Sequence, residues 1–237
     1  MDLINEDLPV KGLCFDKDGT LFDFAATWEA WAAAFLDRVS KGDRERAQRL
    51  GAAIGYDTAK GKFAKDSIVI AGTPNEVATA LAPQFPDQPI SEVVKMLNEE
   101  AGRAPQKEAV PLVPLLNAFR NNGLFLGVAT NDAEAPARAH LAAAGVTDLF
   151  DFIAGYDSGY GGKPAAGQLL AFADHVKLKP SQIAMVGDST HDLHAGRAAG
   201  MRTVAVLTGT AGAQELAPFA DVVLDDIGGI PEWLATL

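Results

Sequence analysis

Leu13-Cys14-Phe15-Asp16-Lys17-Asp18-Gly19-Thr20-Leu21 runs from an apolar segment into two aspartates one residue apart, then Gly-Thr. Val10, Leu13, Cys14 and Phe15 read as a buried parallel strand, because continuous apolar runs belong to sheets covered on both faces. Such a strand delivers Asp16 to its carboxyl end, where open α/β sheets place their ligands. Two-residue periodicity predicts that Asp16 and Asp18 approach one point while Lys17 points away, and Gly19 permits a sharp turn. Converging carboxylates repel unless a cation or proton sits between them, and a hard divalent ion such as Mg²⁺ suits oxygen ligands. A solvated acidic turn is the plain alternative. A chance match to the longer string Asp-x-Asp-Gly-Thr-aliphatic is on the order of one in a thousand at ordinary residue frequencies.

Working outward, the next segment is helical in pattern. From Thr27 to Gly102 apolar residues recur at helical spacing, with Trp28, Trp31, Phe35, Leu36 and Val39 on one face and Thr27 as the expected N-cap. Helices are predicted over Asp43–Ile54 and Pro74–Leu81, and another beginning at Ser91. Gly55–Thr73 lacks a regular pattern. From Val110 the rhythm becomes strand–helix alternation, with strands predicted at Leu124–Thr130, Phe150–Ala154, Ile183–Val186, Thr203–Leu207 and Val222–Leu224. The intervening helices are Leu112–Arg120, Ala133–Ala144, Pro164–Val176 and Asp192–Ala199. That alternation implies an α/β fold with a doubly wound parallel sheet. The predicted core is 1–23 with 108–237, and 24–107 is an inserted helical cap domain.

The bulk properties limit the function classes. The chain has 237 residues, 48% hydrophobic and 22% charged, and a net charge of −11. So acidic a surface argues against general nucleic-acid binding and against docking on anionic membranes. Cys14 is the single cysteine; an intrachain disulfide is excluded, and its apolar strand makes it a packing residue rather than a nucleophile. Met1–Asp7 carries no basic region before an apolar stretch, no run is long enough to span a bilayer, and a cytoplasmic location is expected.

Three more polar clusters follow apolar strands, as Asp16 does. Thr130-Asn131 ends the second, Lys163 lies in the glycine-rich loop Gly155–Pro164, and Gly187-Asp188-Ser189-Thr190-His191-Asp192 follows Ile183–Val186. Each alone has an ordinary reading as a helix cap, a surface lysine or a charged first turn. Together they assemble a nucleophile, a cation site, a hydroxyl and an ammonium at one sheet edge. His191 and His194 share a helical face but lack a third soft ligand for zinc.

In this order and spacing, Asp16-Lys-Asp-Gly-Thr20, Thr130, Lys163 and Gly187-Asp188 through Asp192 resemble the four motifs of the haloacid dehalogenase-like phosphohydrolases. The helical insertion resembles the first cap type of that family, found in phosphoglycolate phosphatases and β-phosphoglucomutases. Lys17 occupies a position that is often apolar. The resemblance implies that Asp16 is the nucleophile, forming an aspartyl-phosphate, and that Asp18 is the general acid and base. It assigns Thr130, Asn131 and Lys163 to the phosphoryl oxygens. Mg²⁺ falls to Asp16, Asp188 and the main-chain carbonyl of Asp18, with Asp192 and Ser189 in support. Asp18 favours phosphoryl transfer over dehalogenation, since only the former has a leaving alkoxide to protonate.

A Mg²⁺-dependent phosphatase acting on a small phosphorylated metabolite, a phosphomonoester, is therefore expected, with a phosphoglycolate-like or sugar-phosphate-like substrate implied by the resemblance to the capped subgroup. A phosphomutase or a catalytically silent binding protein on the same fold stays open. Within the cap, Lys62, Lys65 and Ser67 are the candidates for contact with the leaving group, against the alternative that both lysines are solvated on a connecting loop. Trp28 and Trp31 are expected to pack within the cap.

Overall fold

The structure is a computed structural model describing residues 9–237; the reading of Met1–Asp7 lies outside the described residues. In chain order the elements are β1 (Gly12–Phe15), α1 (Phe24–Ser40), α2 (Arg44–Ala53), a small antiparallel hairpin of β2 (Tyr56–Asp57) and β3 (Lys62–Phe63), α3 (Pro74–Leu81), α4 (Ile90–Ala101) and α5 (Leu112–Asn121). Then follow β4 (Phe125–Ala129), α6 (Glu134–Ala143), β5 (Phe152–Ala154), α7 (Gly167–His175), β6 (Ile183–Gly187) and α8 (Thr190–Ala199). The chain closes with β7 (Arg202–Val206), α9 (Ala213–Leu216), β8 (Val222–Leu224) and α10 (Ile230–Leu234).

Six parallel strands form one sheet in the order β5-β4-β1-β6-β7-β8. From β1 the chain winds outward through β4 and β5, then returns to the other side of β1 at β6. Strand order reverses beside β1, the position at which doubly wound sheets open a crevice for ligands. Side chains alternate between faces as the pleat requires. Leu13 and Phe15 enter one apolar cluster, with Leu126, Val128 and Val186. Cys14 enters the other, with Ala129, Met185 and Phe172. Burial pushes the Cys14 thiol up to about 12, so it is an inert packing group.

The helical insert builds a third cluster around Trp31, Phe35, Leu50, Val77, Leu81 and Leu97. Its helix starts follow capping chemistry. The Asp43 side chain accepts from Arg46 N at 3.0 Å. Thr73 and Glu76 form a reciprocal capping box ahead of Pro74. The expected N-cap at Thr27 is corrected: Asp23 caps α1 by accepting from Ala26 N at 3.1 Å. Thr27 lies one turn inside, buried, its hydroxyl 3.3 Å from the Asp23 carbonyl. Asp23 was available because an acidic residue at a helix start serves as cap as well as threonine does.

Other boundaries shift by one to three residues. α4 starts at Ile90 after Pro89, α7 at Gly167 rather than Pro164, and α8 at Thr190, capped by Ser189. Among the described residues, no helix is long and apolar enough to cross a membrane.

Candidate active site

β1 ends at Phe15, and Asp16 is held by its own N–H donating to the Val186 carbonyl at 2.8 Å. Beyond it the chain leaves strand geometry: Lys17 and Asp18 belong to a turn closed by Leu21 N donating to the Lys17 carbonyl at 2.9 Å. Two-residue alternation therefore stops before Lys17, and the expectation that its side chain points away from the aspartates is corrected. Lys17 Nζ lies 2.7 Å from the Asp18 carboxylate, 2.9 Å from His140 Nδ1 and 3.4 Å from Asp132. Its residue is fully buried. Burial opposes its charge, but Asp18 and Asp132 more than offset this and hold the ammonium protonated.

Lys163 reaches the same crevice from the loop before α7. Its ammonium ion-pairs with Asp16 and with Asp192, each at 2.6 Å. Burial works against its charge too, yet the two carboxylates raise its pKa above that of a free lysine. Asp192 is fixed on its other oxygen by Ser189, from N at 3.0 Å and Oγ at 2.7 Å. The α8 capping box thus doubles as the mount for a carboxylate that lines the cavity.

Asp16, Asp188 and Asp192 bring carboxylate oxygens within 4.8 Å of one another, all three buried. Burial, only partly countered by Lys163 and reinforced by Asp192 and Asp18, pushes Asp16 up to about 7. Burial, with Asp192 and Asp16 adding to it, also raises Asp188 well above the carboxylate range. A group of oxygen donors with unmet negative charge is the donor set a hard divalent cation takes, so these residues fit Mg²⁺.

Two glycines make room for Asp188. At Gly19, with φ of +77°, a Cβ would lie 2.4 Å from its carboxylate. At Gly209 a Cβ would lie 1.6 Å away.

Thr130, at the end of β4, is buried and lines the cavity. Its Oγ1 accepts from Asp132 N at 3.1 Å. Gln168 fixes its carbonyl at 3.0 Å. Asn131 also lines the cavity, but its amide is engaged: it donates to the Ala71 and Lys163 carbonyls at 2.8 and 2.9 Å and accepts from Lys163 N at 2.7 Å. Asn131 therefore ties the Lys163 loop to the helical insert. His191 also lines the cavity, and the His194 ring lies tilted against Phe219 with ring centres 4.5 Å apart.

Asp16, Asp18, Thr130, Lys163, Asp188 and Asp192 line one cavity of about 660 Å³, including the part open to solvent. The insert supplies its other wall, with Phe24, Trp28, Trp31, Ile70, Val77 and Leu97. Trp28 and Trp31 are thus wall residues as well as packing residues. The candidates Lys62, Lys65 and Ser67 lie elsewhere. Lys62 is exposed and pairs with Glu29 at 2.8 Å, and Lys65 is exposed. Ser67 is buried, donating to the Ile54 carbonyl at 2.6 Å. Lys62 belongs to the β2–β3 hairpin, which the unpatterned sequence did not reveal, and none of the three lines the cavity. Lys17, Asp132, His140 and Gly209 were missed as site residues. Only Lys17 carried a signal, a charge where an apolar residue is usual.

A family model for haloacid dehalogenase-like hydrolases matches residues 10–200. The chain belongs to that family. The phosphoglycolate phosphatase of Nitrosospira multiformis is 30% identical over 206 residues, 84% of each chain. That of Rhodospirillum rubrum is 35% identical over 120 residues, and here the chain spans only 50% of the relative's length. The crystal structure of CbbY from Rhodobacter sphaeroides in complex with phosphate superimposes with a TM-score of 0.71 at 20% identity, over 92% of this chain and 94% of that one; it shares the fold. As a member of the haloacid dehalogenase-like hydrolases with phosphatase relatives, the chain is an enzyme of the phosphoric monoester hydrolase class.

Proposed function

We propose that this hydrolase is a Mg²⁺-dependent phosphatase for small phosphomonoesters that works through an aspartyl-phosphate on Asp16. The observation that carries the reading is the junction of Asp16, Lys163 and Asp192 at 2.6 Å contacts, facing a cavity that also holds Asp18, Thr130 and Asp188.

An Asp16 carboxylate oxygen attacks phosphorus in line, the phosphorus–oxygen bond to the alcohol breaks, and Asp18 gives its proton to the departing alkoxide. Water then attacks phosphorus, loses a proton to Asp18, and the bond to Asp16 breaks to release inorganic phosphate. Lys163 Nζ and Thr130 Oγ1 hold the transferring oxygens, where fixed donors offset developing charge without reorganising. Asp16, Asp188 and the main-chain carbonyl of Asp18 are the residues that would hold Mg²⁺, which supplies positive charge between an anionic nucleophile and an anionic ester. Asp192 orients Lys163, and Asn131 fixes the Lys163 loop. The insert acts as a cap that excludes water.

The test is phosphate release from small phosphorylated acids, sugars and nucleotides by wild type and Asp16→Asn, with and without Mg²⁺. Release that needs Mg²⁺ and vanishes in the variant supports the reading. Release that survives either change overturns it. Phosphoryl transfer between sugar hydroxyls with little release would make the enzyme a mutase.

A further inference from the structure

The two walls of the cavity differ in kind. Lys163 and the aspartates occupy the sheet side. The wall from the helical insert carries no charged side chain: aromatic and aliphatic groups of Phe24, Trp28, Trp31, Ile70, Val77 and Leu97 form most of it. No basic residue of the insert lines the cavity; Arg38 pairs with Glu99 and Glu100, Lys62 with Glu29, and Lys107 with Asp23, and Lys65 is exposed.

Two polar atoms interrupt the apolar wall. Trp28 Nε1 and Asn98 Oδ1 are both buried without a hydrogen-bond partner, on residues that line the cavity. Trp31, by contrast, has its Nε1 donating to the Leu97 carbonyl at 3.1 Å. Buried polar atoms are as a rule paired, and an unpaired donor and an unpaired acceptor on residues lining one cavity mark where polar groups of a ligand belong.

Resting on the phosphatase reading above, we propose that the substrate is a phosphomonoester of an uncharged alcohol. Its body is apolar, an aromatic ring or a compact hydrocarbon, and its polar groups are neutral, of a hydroxyl or amide type that can accept from Trp28 Nε1 or donate to Asn98 Oδ1. A carboxylate on the leaving group meets no cation on this wall and faces a cavity already lined by Asp16, Asp18, Asp132, Asp188 and Asp192. Burying such a charge without a partner is unfavourable, while the apolar wall gains by covering a ring. The specificity that follows excludes 2-phosphoglycolate as the preferred substrate, although relatives of this chain carry its name.

Benzyl phosphate and 2-phosphoglycolate release alcohols of similar acidity, so kcat/KM for the two compares the wall rather than the leaving group. Wild type is expected to favour benzyl phosphate at least tenfold, and Asn98→Lys or Ala71→Lys, each placing an ammonium on that wall, to reverse or erase the preference. In parallel, titration calorimetry on Asp16→Asn with 2-phenylethylphosphonate and 3-phosphonopropionate reads the same preference without turnover. A wild-type preference for 2-phosphoglycolate, with release still dependent on Asp16, overturns the inference and leaves the phosphatase reading intact. Release that persists in Asp16→Asn, or no release from any phosphomonoester, overturns the phosphatase reading and the inference with it.

Discussion

Lys17 Nζ sits 2.7 Å from each carboxylate oxygen of Asp18, a two-point grip on the side chain proposed as general acid and base. The ammonium lies 5.7 Å from the centre of the Trp28 ring, which joins the grip to the wall of the cavity. A lysine inserted between nucleophile and acid thus sets where the acid stands.

Lys17→Met removes the grip and leaves Asp18 and Asp132 without their shared cation. Truncating one partner of a buried ion pair costs about 3 kcal/mol of stability, to be read from chemical denaturation. The catalytic signature is separate. Positioned proton transfer is worth roughly 10² or more in rate, so kcat/KM for an alkyl phosphate should fall by about that factor. For p-nitrophenyl phosphate, whose leaving group departs without a proton, the fall should be several-fold at most. Equal losses on both substrates would reduce Lys17 to a structural role.

His140 stays neutral well below the pH at which a free imidazole takes up its proton. Its Nδ1 faces the Lys17 ammonium at 2.9 Å and its Nε2 donates to the Ala101 carbonyl at 2.7 Å. Burial, with Lys17 adding to it, depresses its pKa from 6.5 to about 4. The unfolded chain therefore binds a proton that the fold refuses, and the stability His140 contributes, present above 6.5, is lost as the pH falls toward 4. Asp132, raised to about 6 mainly by burial, works in the opposite sense over much of that window, so the global unfolding curve mixes the two. Ring ¹⁵N shifts isolate His140. They should report the Nε2–H tautomer, unchanged from about pH 8 to about pH 5, and a titration midpoint above about 6 would contradict the arrangement.

Much of this site is legible in the sequence because its residues stand at strand ends. Asp16, Thr130 and Asp188 each follow an apolar run, and a parallel sheet brings the carboxyl ends of neighbouring strands to one edge. Lys163 sits in a loop between a strand and a helix, which returns it to that edge. The direction of Lys17 was not legible, since it depends on β1 stopping at Phe15, and no periodicity marks where a ladder ends. Nor was the triad of Lys17, Asp132 and His140, which come from three separate elements and share no spacing. Lys62 was misplaced for a local reason: two-residue strands give too short a pattern to reveal the hairpin that leaves it exposed and paired with Glu29, while Ser67 is taken up by the Ile54 carbonyl.

Carboxylates pressed together for a cation should strain the metal-free fold. Asp16, at 3.8 when unperturbed, is pushed to about 7, mainly by burial. Without metal its contribution to stability is therefore present below 3.8 and lost as the pH rises toward 7. At about pH 7.5 Asp188→Asn, which removes one repelling charge, should melt no lower than metal-free wild type. A ligand at 100 times its Kd adds about 2.7 kcal/mol, which for a chain of this size is roughly 5–10 °C. Saturating Mg²⁺ should raise the wild-type Tm by that amount and leave Asp188→Asn nearly unmoved. A variant that melts lower without metal, or responds to Mg²⁺ as wild type does, would remove Asp188 from the cation site.

Gly209 tests the same carboxylate from the far side. It follows Thr208, whose Oγ1 donates to the Gly19 carbonyl at 2.5 Å, so the loop after β7 is anchored to the turn after Asp18. A Cβ at Gly209 would lie 1.6 Å from Asp188 Oδ2 and 2.3 Å from its carboxyl carbon. One of the two must move, and the anchored loop resists. Gly209→Ala should therefore displace the Asp188 carboxylate, with a loss of roughly 10–100-fold in apparent Mg²⁺ affinity, the scale seen when the support of a metal ligand is disturbed. Gly212→Ala is the control, because nothing lies within 4 Å of a Cβ there. Mg²⁺ dependence of phosphate release measured on both variants decides the point: the first should need far more Mg²⁺ for half-maximal rate, the second no more than wild type. A normal Mg²⁺ requirement in Gly209→Ala would show that the loop yields instead, and that Asp188 is placed by β6 alone.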